Sequence, residues 1–282
     1  MTDQDRYAVF GNPIKQSKSP AIHSLFAKQC GQAMQYRAVR VELNDFERAA
    51  SDFFAGGGAG LNITVPFKQR AFEFSQHTSE RARRAGAVNT LALRDSGDGK
   101  QGIYGDNTDG VGLVRDMICN LGWSLRDQRI LLIGAGGAAR GVVEPLLGER
   151  PGELLIINRT PERAAALAQQ FSESGPVAGG AYELVGERSF DILINATSTG
   201  LSDSMPELSS SLITERSCCY DMVYGAAPTP FMRWGAREAA WAVADGLGML
   251  VEQAAESFYI WRGVRPETRP VIHHLRAAME AA

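Results

Sequence analysis

Gly134, Gly136 and Ala139 occupy the three small-residue positions of G-x-G-x-x-G/A, a spacing whose chemistry is the binding of a pyrophosphate by main chain. Gly134 permits a tight strand-to-helix turn, Gly136 lets the backbone approach the phosphates, and Ala139 keeps helix and strand close. A Gly-rich turn alone could be no more than a tight turn. Here the apolar run over residues 130–133 predicts a buried parallel strand before it, and residues 138–147 predict a helix after it. The start of that helix would offer free N–H groups and a partial positive charge to the phosphates. A second strand, residues 153–158, completes a dinucleotide-binding pattern and runs into Asn158-Arg159-Thr160, with Arg163 just beyond. An NAD-preferring site places Asp or Glu here to accept from the ribose 2′-OH. Two guanidiniums and a hydroxyl suit a 2′-phosphate instead, which predicts NADP; the plainer reading of Arg159 and Arg163 is a pair of solvated helix-start residues.

Further polar clusters fall where strands are predicted to end, which is where open α/β sheets place ligands. Ser17-Lys18-Ser19-Pro20 precedes a helix; either serine could be a plain N-cap, and two hydroxyls flanking a lysine also suit a carboxylate at a helix N-terminus. In Asn62-Ile63-Thr64-Val65-Pro66-Phe67-Lys68 the two polar residues alternate with apolar ones and share a strand face, while Lys68 follows about a turn into a helix. Taken alone, a helical lysine reads as a solvated surface residue. Asn89 is a polar residue in an apolar strand. In Gly105-Asp106-Asn107-Thr108-Asp109-Gly110, Asp106 or Thr108 could cap the next helix, which leaves a second acid to explain. Asn195-Ala196-Thr197-Ser198, Asp221-Met222-Val223-Tyr224 and Gly248-Met249-Leu250-Val251-Glu252-Gln253 close or open later elements.

The elements that must position these groups alternate. Strands are predicted at YAVFG, YRAVRVEL, GLNITV, AVNTLAL and GIYGDNT, with helices over residues 20–29, 45–55, 66–74 and 79–85. Gly56, Gly57 and Gly58 end the second helix, and Pro66 stops one strand and starts the next helix. A helix from residue 109 to about 121 leads to the Gly-rich turn. Beyond it lie a helix over 161–171, strands FDILINAT and CCYDMVY, helix PFMRWGAREAA, strand WAVADG and helices over 249–261 and 267–279. Such an order implies a mostly parallel sheet with helices on both faces.

At 282 residues, 44% hydrophobic and 22% charged, the chain suits an ordinary globular protein of two domains. A net charge of -3 and no basic stripe interleaved with aromatics argue against a nucleic-acid partner. The polar start passes directly into a strand without the zones of a signal peptide, and no apolar run is long enough to span a bilayer. Cys30, Cys119, Cys218 and Cys219 form no C-x-x-C pair or metal-ligand cluster, so no metal is expected; Cys218 and Cys219 read as small apolar fillers of a buried strand. A reducing cytoplasm fits this usage.

SKSP, NITVPFK, GAVNTL, GDNTDG, GAGGAAR, NRT, NATS, DMVY and GMLVEQA, in that order, resemble the NADP-dependent shikimate dehydrogenase family over essentially the whole chain. NITVPFK with GDNTDG is the specific part, whereas GAGGAAR is shared with many dehydrogenases. The resemblance implies reversible reduction of 3-dehydroshikimate to shikimate with NADPH, in the shikimate pathway of aromatic amino-acid (chorismate) biosynthesis. It implies a catalytic pair, Lys68 and Asp109, and a substrate held by Ser17, Ser19, Thr64, Asn89, Tyr224 and Gln253 as well. The carboxylate would lie near the two serines and the ring hydroxyls near Asn89, Asp109 and Gln253. The cofactor would meet Gly134, Ala135, Gly136, Gly137 and Ala138, then Asn158, Arg159, Thr160 and Arg163, then Met222 and Gly246. Glu80 matches a position on the nicotinamide side.

Hydride arriving at a carbonyl carbon leaves charge on oxygen, so a proton donor such as an ammonium stabilises the transition state. Because Gln253 lies far downstream of the other substrate residues, the expected architecture is discontinuous. An N-terminal α/β substrate domain with a mostly parallel sheet takes residues 1–109, and C-terminal helices over 247–282 return to it. A Rossmann-type NADP-binding domain, residues 110–246, is inserted between them, the ketone lying in the cleft and closure excluding water. The expected assembly is a monomer or homodimer with a small-molecule substrate. Competing readings are a quinate/shikimate dehydrogenase of broader specificity, and an NADP-sensing protein without catalysis, for which Lys68 or Asp109 should be missing.

Overall fold

Residues 4–95, 101–197 and 205–281 are described by the computed structural model; Ser198, from the N-A-T-S motif, lies outside the described residues. The chain divides into two units, Met1–Gly112 with Val251–Val271, and Leu113–Leu250 with Ile272–Ala282. The first cut falls a little after Asp109, and the end of the last helix counts with the second unit, where Arg276 bonds Asp245.

The first unit contains β1 (Asp5–Gly11), α1 (Ser19–Gln29), β2 (Met34–Arg40), α2 (Phe46–Ala55), β3 (Gly58–Ile63), α3 (Lys68–Phe74), β4 (His77–Thr78), α4 (Glu80–Ala85), β5 (Thr90–Asp95), β6 (Gln101–Asp106) and the start of α5 (Asp109–Arg115). Its sheet runs β2-β1-β3-β5-β6-β4. β1 lies parallel to β2 and β3 because a helix returns the chain after each strand, whereas β5 and β6, only five residues apart in sequence, pair antiparallel. Ala8, Phe10, Leu61, Ile63, Phe67 and Leu91 form its core.

The second unit holds β7 (Arg129–Ile133), α6 (Gly137–Gly148), β8 (Glu153–Ile157), α7 (Pro161–Gln170), β9 (Val177–Gly180), β10 (Ile192–Asn195), β11 (Cys218–Asp221), α8 (Pro230–Arg237) and β12 (Ala242–Asp245). α9 (Leu247–Arg262) and α10 (Arg269–Glu280) complete the chain. The six strands, in order β12-β11-β10-β7-β8-β9, are all parallel. Alternate residues of β7 and β8 serve two cores: Ile130, Leu132, Leu154 and Ile156 face one, and Leu131, Ile133, Leu155 and Ile157 the other. Burial on both faces is why these strands read as unbroken apolar runs, each such side chain contributing about 1.5–3 kcal/mol. Cys218 and Cys219 are buried filler, their thiols pushed up by burial to about 11 and about 12.

Several boundaries move from their predicted places. β3 ends at Ile63, and residues 64–67 form a turn closed by the Phe67 N–H donating to the Thr64 carbonyl (3.0 Å), so the helix starts at Lys68 rather than Pro66. Asn89 sits in the bend before β5, not within the strand. β4 and β9 had no legible signal, being a two-residue bridge and a Gly-rich four-residue strand.

Candidate active site

Lys68 opens α3 and Asp109 opens α5, 41 residues apart in sequence, yet Lys68 Nζ donates to Asp109 Oδ2 at 2.5 Å. The Lys68 side chain is 29% exposed and that of Asp109 12%, so the ammonium is the accessible member of the pair. Reduced solvation strengthens the attraction, and removing either partner would strand the other charge.

Asn89 locks the carboxylate from behind. Its Nδ2 faces Asp109 Oδ1 (2.8 Å), Thr108 Oγ1 (2.9 Å) and Gln253 Oε1 (3.3 Å), three acceptors sharing two hydrogens. Its Oδ1 accepts from the Thr108 N–H and the Thr90 hydroxyl, both at 2.9 Å. Asn62 stands one layer deeper: Nδ2 donates toward Ser257 Oγ (3.0 Å), the Asn89 carbonyl and Thr90 Oγ1 (both 3.2 Å), while Oδ1 accepts from the Tyr36 hydroxyl (2.7 Å). The structure thus brings together Lys68, Asp109, Asn89 and Gln253. It adds Asn62, Tyr36, Thr90, Thr108 and Ser257, none of which sequence reasoning had placed among the residues that hold substrate. The alternation of polar and apolar residues around Asn62 was the available signal; Tyr36 and Ser257 carried none.

Neither predicted cap serves α5. Asn107 does: its Oδ1 accepts from the Asp109 N–H (3.2 Å). The second acid, Asp106, is the buried partner of Arg81, which reaches its two oxygens at 2.7 and 2.9 Å and also meets Glu256 Oε1 at 3.0 Å; Arg265 pairs with the other Glu256 oxygen. Burial alone would raise the Glu256 carboxyl, yet Arg265 and Arg81 hold it below its ordinary value. This ion network fixes the loop from below, because the Asp106 carbonyl accepts from the Asn89 N–H (3.0 Å).

Ser19 is buried, and Ser17 Oγ accepts from its N–H (3.3 Å), but the N-cap of α1 is Lys18, with no side-chain cap bond. Thr64 follows β3 directly, its N–H donating to the Phe10 carbonyl (2.9 Å). Glu80 is not joined to these groups; it is exposed on α4, where Arg83 and Arg84 of the same helix hold its carboxyl down.

In the second unit the Gly-rich turn follows β7, between β8 and β10, where the strand order reverses. Gly134 has φ +110°, and a Cβ there would lie 3.2 Å from the Ala196 carbonyl carbon and oxygen. Ala135 is buried, whereas Gly136, Gly137 and Ala138 are exposed. A Cβ at either glycine would meet nothing within 4 Å, and α6 has no side-chain cap at its Gly136 N-cap. Its first N–H groups are therefore open to an anion. Arg159, Thr160 and Arg163 are exposed at the start of α7, neither arginine forming an ion pair among the described residues, and Asn158 shapes their loop by donating to the Thr160 carbonyl (3.0 Å). The donor set fits a phosphorylated dinucleotide. Met222 follows β11, its carbonyl packed where a Cβ on Gly246 would come to 2.3 Å. Asp221 anchors that turn, accepting from Asn195 (3.1 Å), the Val223 N–H (3.0 Å) and Thr229 (2.6 Å). Tyr224 is half-buried, its phenol pushed up by burial and then by Asp245.

A doubly wound sheet with this turn at its switch point is the nucleotide half of a dinucleotide-dependent oxidoreductase. The chain belongs to the shikimate dehydrogenase family: it matches the shikimate dehydrogenase substrate binding domain over residues 9–91, shikimate / quinate 5-dehydrogenase over 117–202, and the shikimate 5′-dehydrogenase C-terminal domain over 246–276. It is 51% identical to the shikimate dehydrogenase (NADP(+)) of Methylococcus capsulatus over 282 residues, all of both chains. It is 54% identical to that of Alkalilimnicola ehrlichii, covering 96% of this chain and 98% of the other. Among solved structures, an Ael1 enzyme from Pseudomonas putida shares 47% identity at TM-score 0.90 (96% and 98% covered). Shikimate 5-dehydrogenase from Thermus thermophilus, in complex with NADP(H) and shikimate, shares 32% at TM-score 0.85 (98% and 100% covered). No helix among the described residues is long and apolar enough to cross a membrane.

Proposed function

We propose that this chain reversibly reduces the ketone of 3-dehydroshikimate to the alcohol of shikimate with NADPH, a step of aromatic amino-acid biosynthesis. The observation that carries the reading is the 2.5 Å Lys68–Asp109 pair, held by Asn89 together with Gln253. NADPH, when bound, supplies the hydride. The Lys68 ammonium gives a proton to the oxygen on which charge develops, and in the reverse direction the amine takes it back. Asp109 keeps the ammonium in place and accepts from a ring hydroxyl; Asn89 and Gln253 hold the neighbouring hydroxyls. Ser17 and Ser19 receive the carboxylate at the start of α1, and Thr64 and Tyr224 complete the substrate contacts. In the second unit the turn from Gly134 to Ala138 takes the pyrophosphate on the open N–H groups at the start of α6, Asn158, Arg159, Thr160 and Arg163 surround the 2′-phosphate, and Met222 and Gly246 line the nicotinamide. Glu80 is carried over from the family resemblance alone, as a residue that would serve the nicotinamide side.

The test follows the absorbance of reduced nicotinamide with the purified chain, shikimate and NADP as the only reactants. Reduction of NADP dependent on shikimate is the expected result, and none at saturating shikimate overturns the reading. The match to shikimate / quinate 5-dehydrogenase over residues 117–202 makes quinate and NAD the necessary comparison substrates. Rates with either that rival those with shikimate and NADP would favour the broader enzyme.

A further inference from the structure

Tyr36 sits half-buried on β2, the edge strand, with its hydroxyl turned inward to Asn62. In register it stands beside Tyr7 of β1 and, through Tyr7, Gly60 of β3; Asn62 lies two residues further along β3 on the same face. The phenol must therefore cross β1, two strand spacings or about 10 Å, to reach Asn62. The route is kept clear by what flanks it. The Tyr7 ring packs at a tilt against Trp261 (4.8 Å between centroids, 35° between planes), and Gly60 has no side chain because a Cβ there would lie 2.4 Å from Trp261 Nε1. His23 of α1 clamps the Tyr36 ring flat, 4.3 Å away and 11° from parallel.

The hydroxyl so delivered donates to Asn62 Oδ1 at 2.7 Å. Burial raises this phenol well above its ordinary value, the Ser19 side chain opposing, so it stays a donor. The bond settles which way the Asn62 amide faces. With Oδ1 taken by Tyr36, Nδ2 must face the Asn89 carbonyl, Thr90 and Ser257. A reversed amide would set oxygen against the Asn89 carbonyl, and Asn89 is what holds Asp109.

We infer that Tyr36 is a positioning residue of the substrate site: from the sheet edge its one hydroxyl orients the Asn62 amide and, through it, holds the Asn89–Asp109 corner. The inference rests on the proposed reading, in which Asn89 with Asp109 meets the substrate's ring hydroxyls.

Tyr36→Phe keeps the ring and its stack on His23 and removes only the hydroxyl. The KM for shikimate should rise about tenfold, the loss of one buried hydrogen bond, with kcat within about threefold and the KM for NADP unmoved. A double-mutant cycle with Asn62→Ala should be non-additive, the second change costing less once the first is made. An unchanged KM for shikimate, an equal rise in the KM for NADP, or simple additivity would overturn the inference. Should the Phe variant not fold, Tyr36→His, whose shorter ring can stack on His23 but cannot reach Asn62, carries the same three readings. A wild-type chain inactive toward shikimate would instead overturn the reading beneath it.

Discussion

In the first unit the polar atoms around Lys68 bond to one another. Asn89 uses both ends of its amide, Asn62 both ends of its own, and Asp106 is held by Arg81, Ser79 and the Asn107 N–H. In the second unit the corresponding atoms are left open. Gly136 and Gly137 have nothing near them, the first N–H groups of α6 have no side-chain cap, and Arg159 and Arg163 stand exposed. The difference follows from what each is asked to do. Moving a proton at a set place needs an amine whose position is fixed before substrate arrives, and side chains in mutual hydrogen bonds supply that. Gripping a pyrophosphate needs main-chain donors free to turn to it, and bulk would only obstruct them.

The sharpest way to break the comparison is to remove the amine. Lys68→Ala should lower turnover by about 10²–10⁴, the usual worth of a positioned proton donor, while the KM for shikimate changes little. Steady-state rates at saturating NADP give both numbers; turnover near that of the wild type would take Lys68 out of the chemistry. A smaller effect is expected on the open side. Arg159→Gln with Arg163→Gln should raise the KM for NADP about ten- to a hundredfold, two charge-assisted contacts being exchanged for neutral ones, and leave the KM for NAD in place. Equal losses for both cofactors would mean that the arginines do not read the 2′-phosphate.

The same contrast explains what could be read from the chain. The cradle is contiguous: Gly134 to Ala139 follows a strand and opens a helix, so spacing alone conveys it, and an all-parallel sheet buried on both faces announces its strands as apolar runs. The proton-handling cluster is assembled from α3, the bend before β5, the start of α5 and the middle of α9. No local pattern links those places, which is why the pairing of Lys68 with Asp109 came from family resemblance. Tyr36 was beyond reach for a further reason. On an edge strand with both faces partly exposed, a tyrosine looks like any other, and only the register across β1 shows what its hydroxyl meets. Asp106 and Thr108 were offered as caps and Asn107 was given no role, since four adjacent polar residues offer several caps and only tertiary contacts choose.

His23 allows a finer test of how far the first unit's closure extends. Its ring is fully buried, and neither nitrogen has a partner in hydrogen-bonding geometry among the described residues, the one place where this unit leaves buried polar atoms unmet. Burial pushes its pKa down to about 3, the nearby Asn62 side chain opposing. The unfolded chain takes up a proton near pH 6.5 that the folded chain refuses until about 3, so between those values the unfolded state binds more protons. Stability contributed by the neutral ring is whole above about 6.5 and drains as the solution is acidified, by at most about 1.4 kcal/mol per pH unit. His23→Phe keeps a flat ring against Tyr36 and has nothing to titrate. Urea unfolding at pH 7.0 and 5.5 should therefore show the variant losing less stability than the wild type on acidification, by about 1 kcal/mol. Equal losses would mean that acid or water reaches His23 in the folded protein, and that the cluster behind Tyr36 is less closed than the one around Asn89.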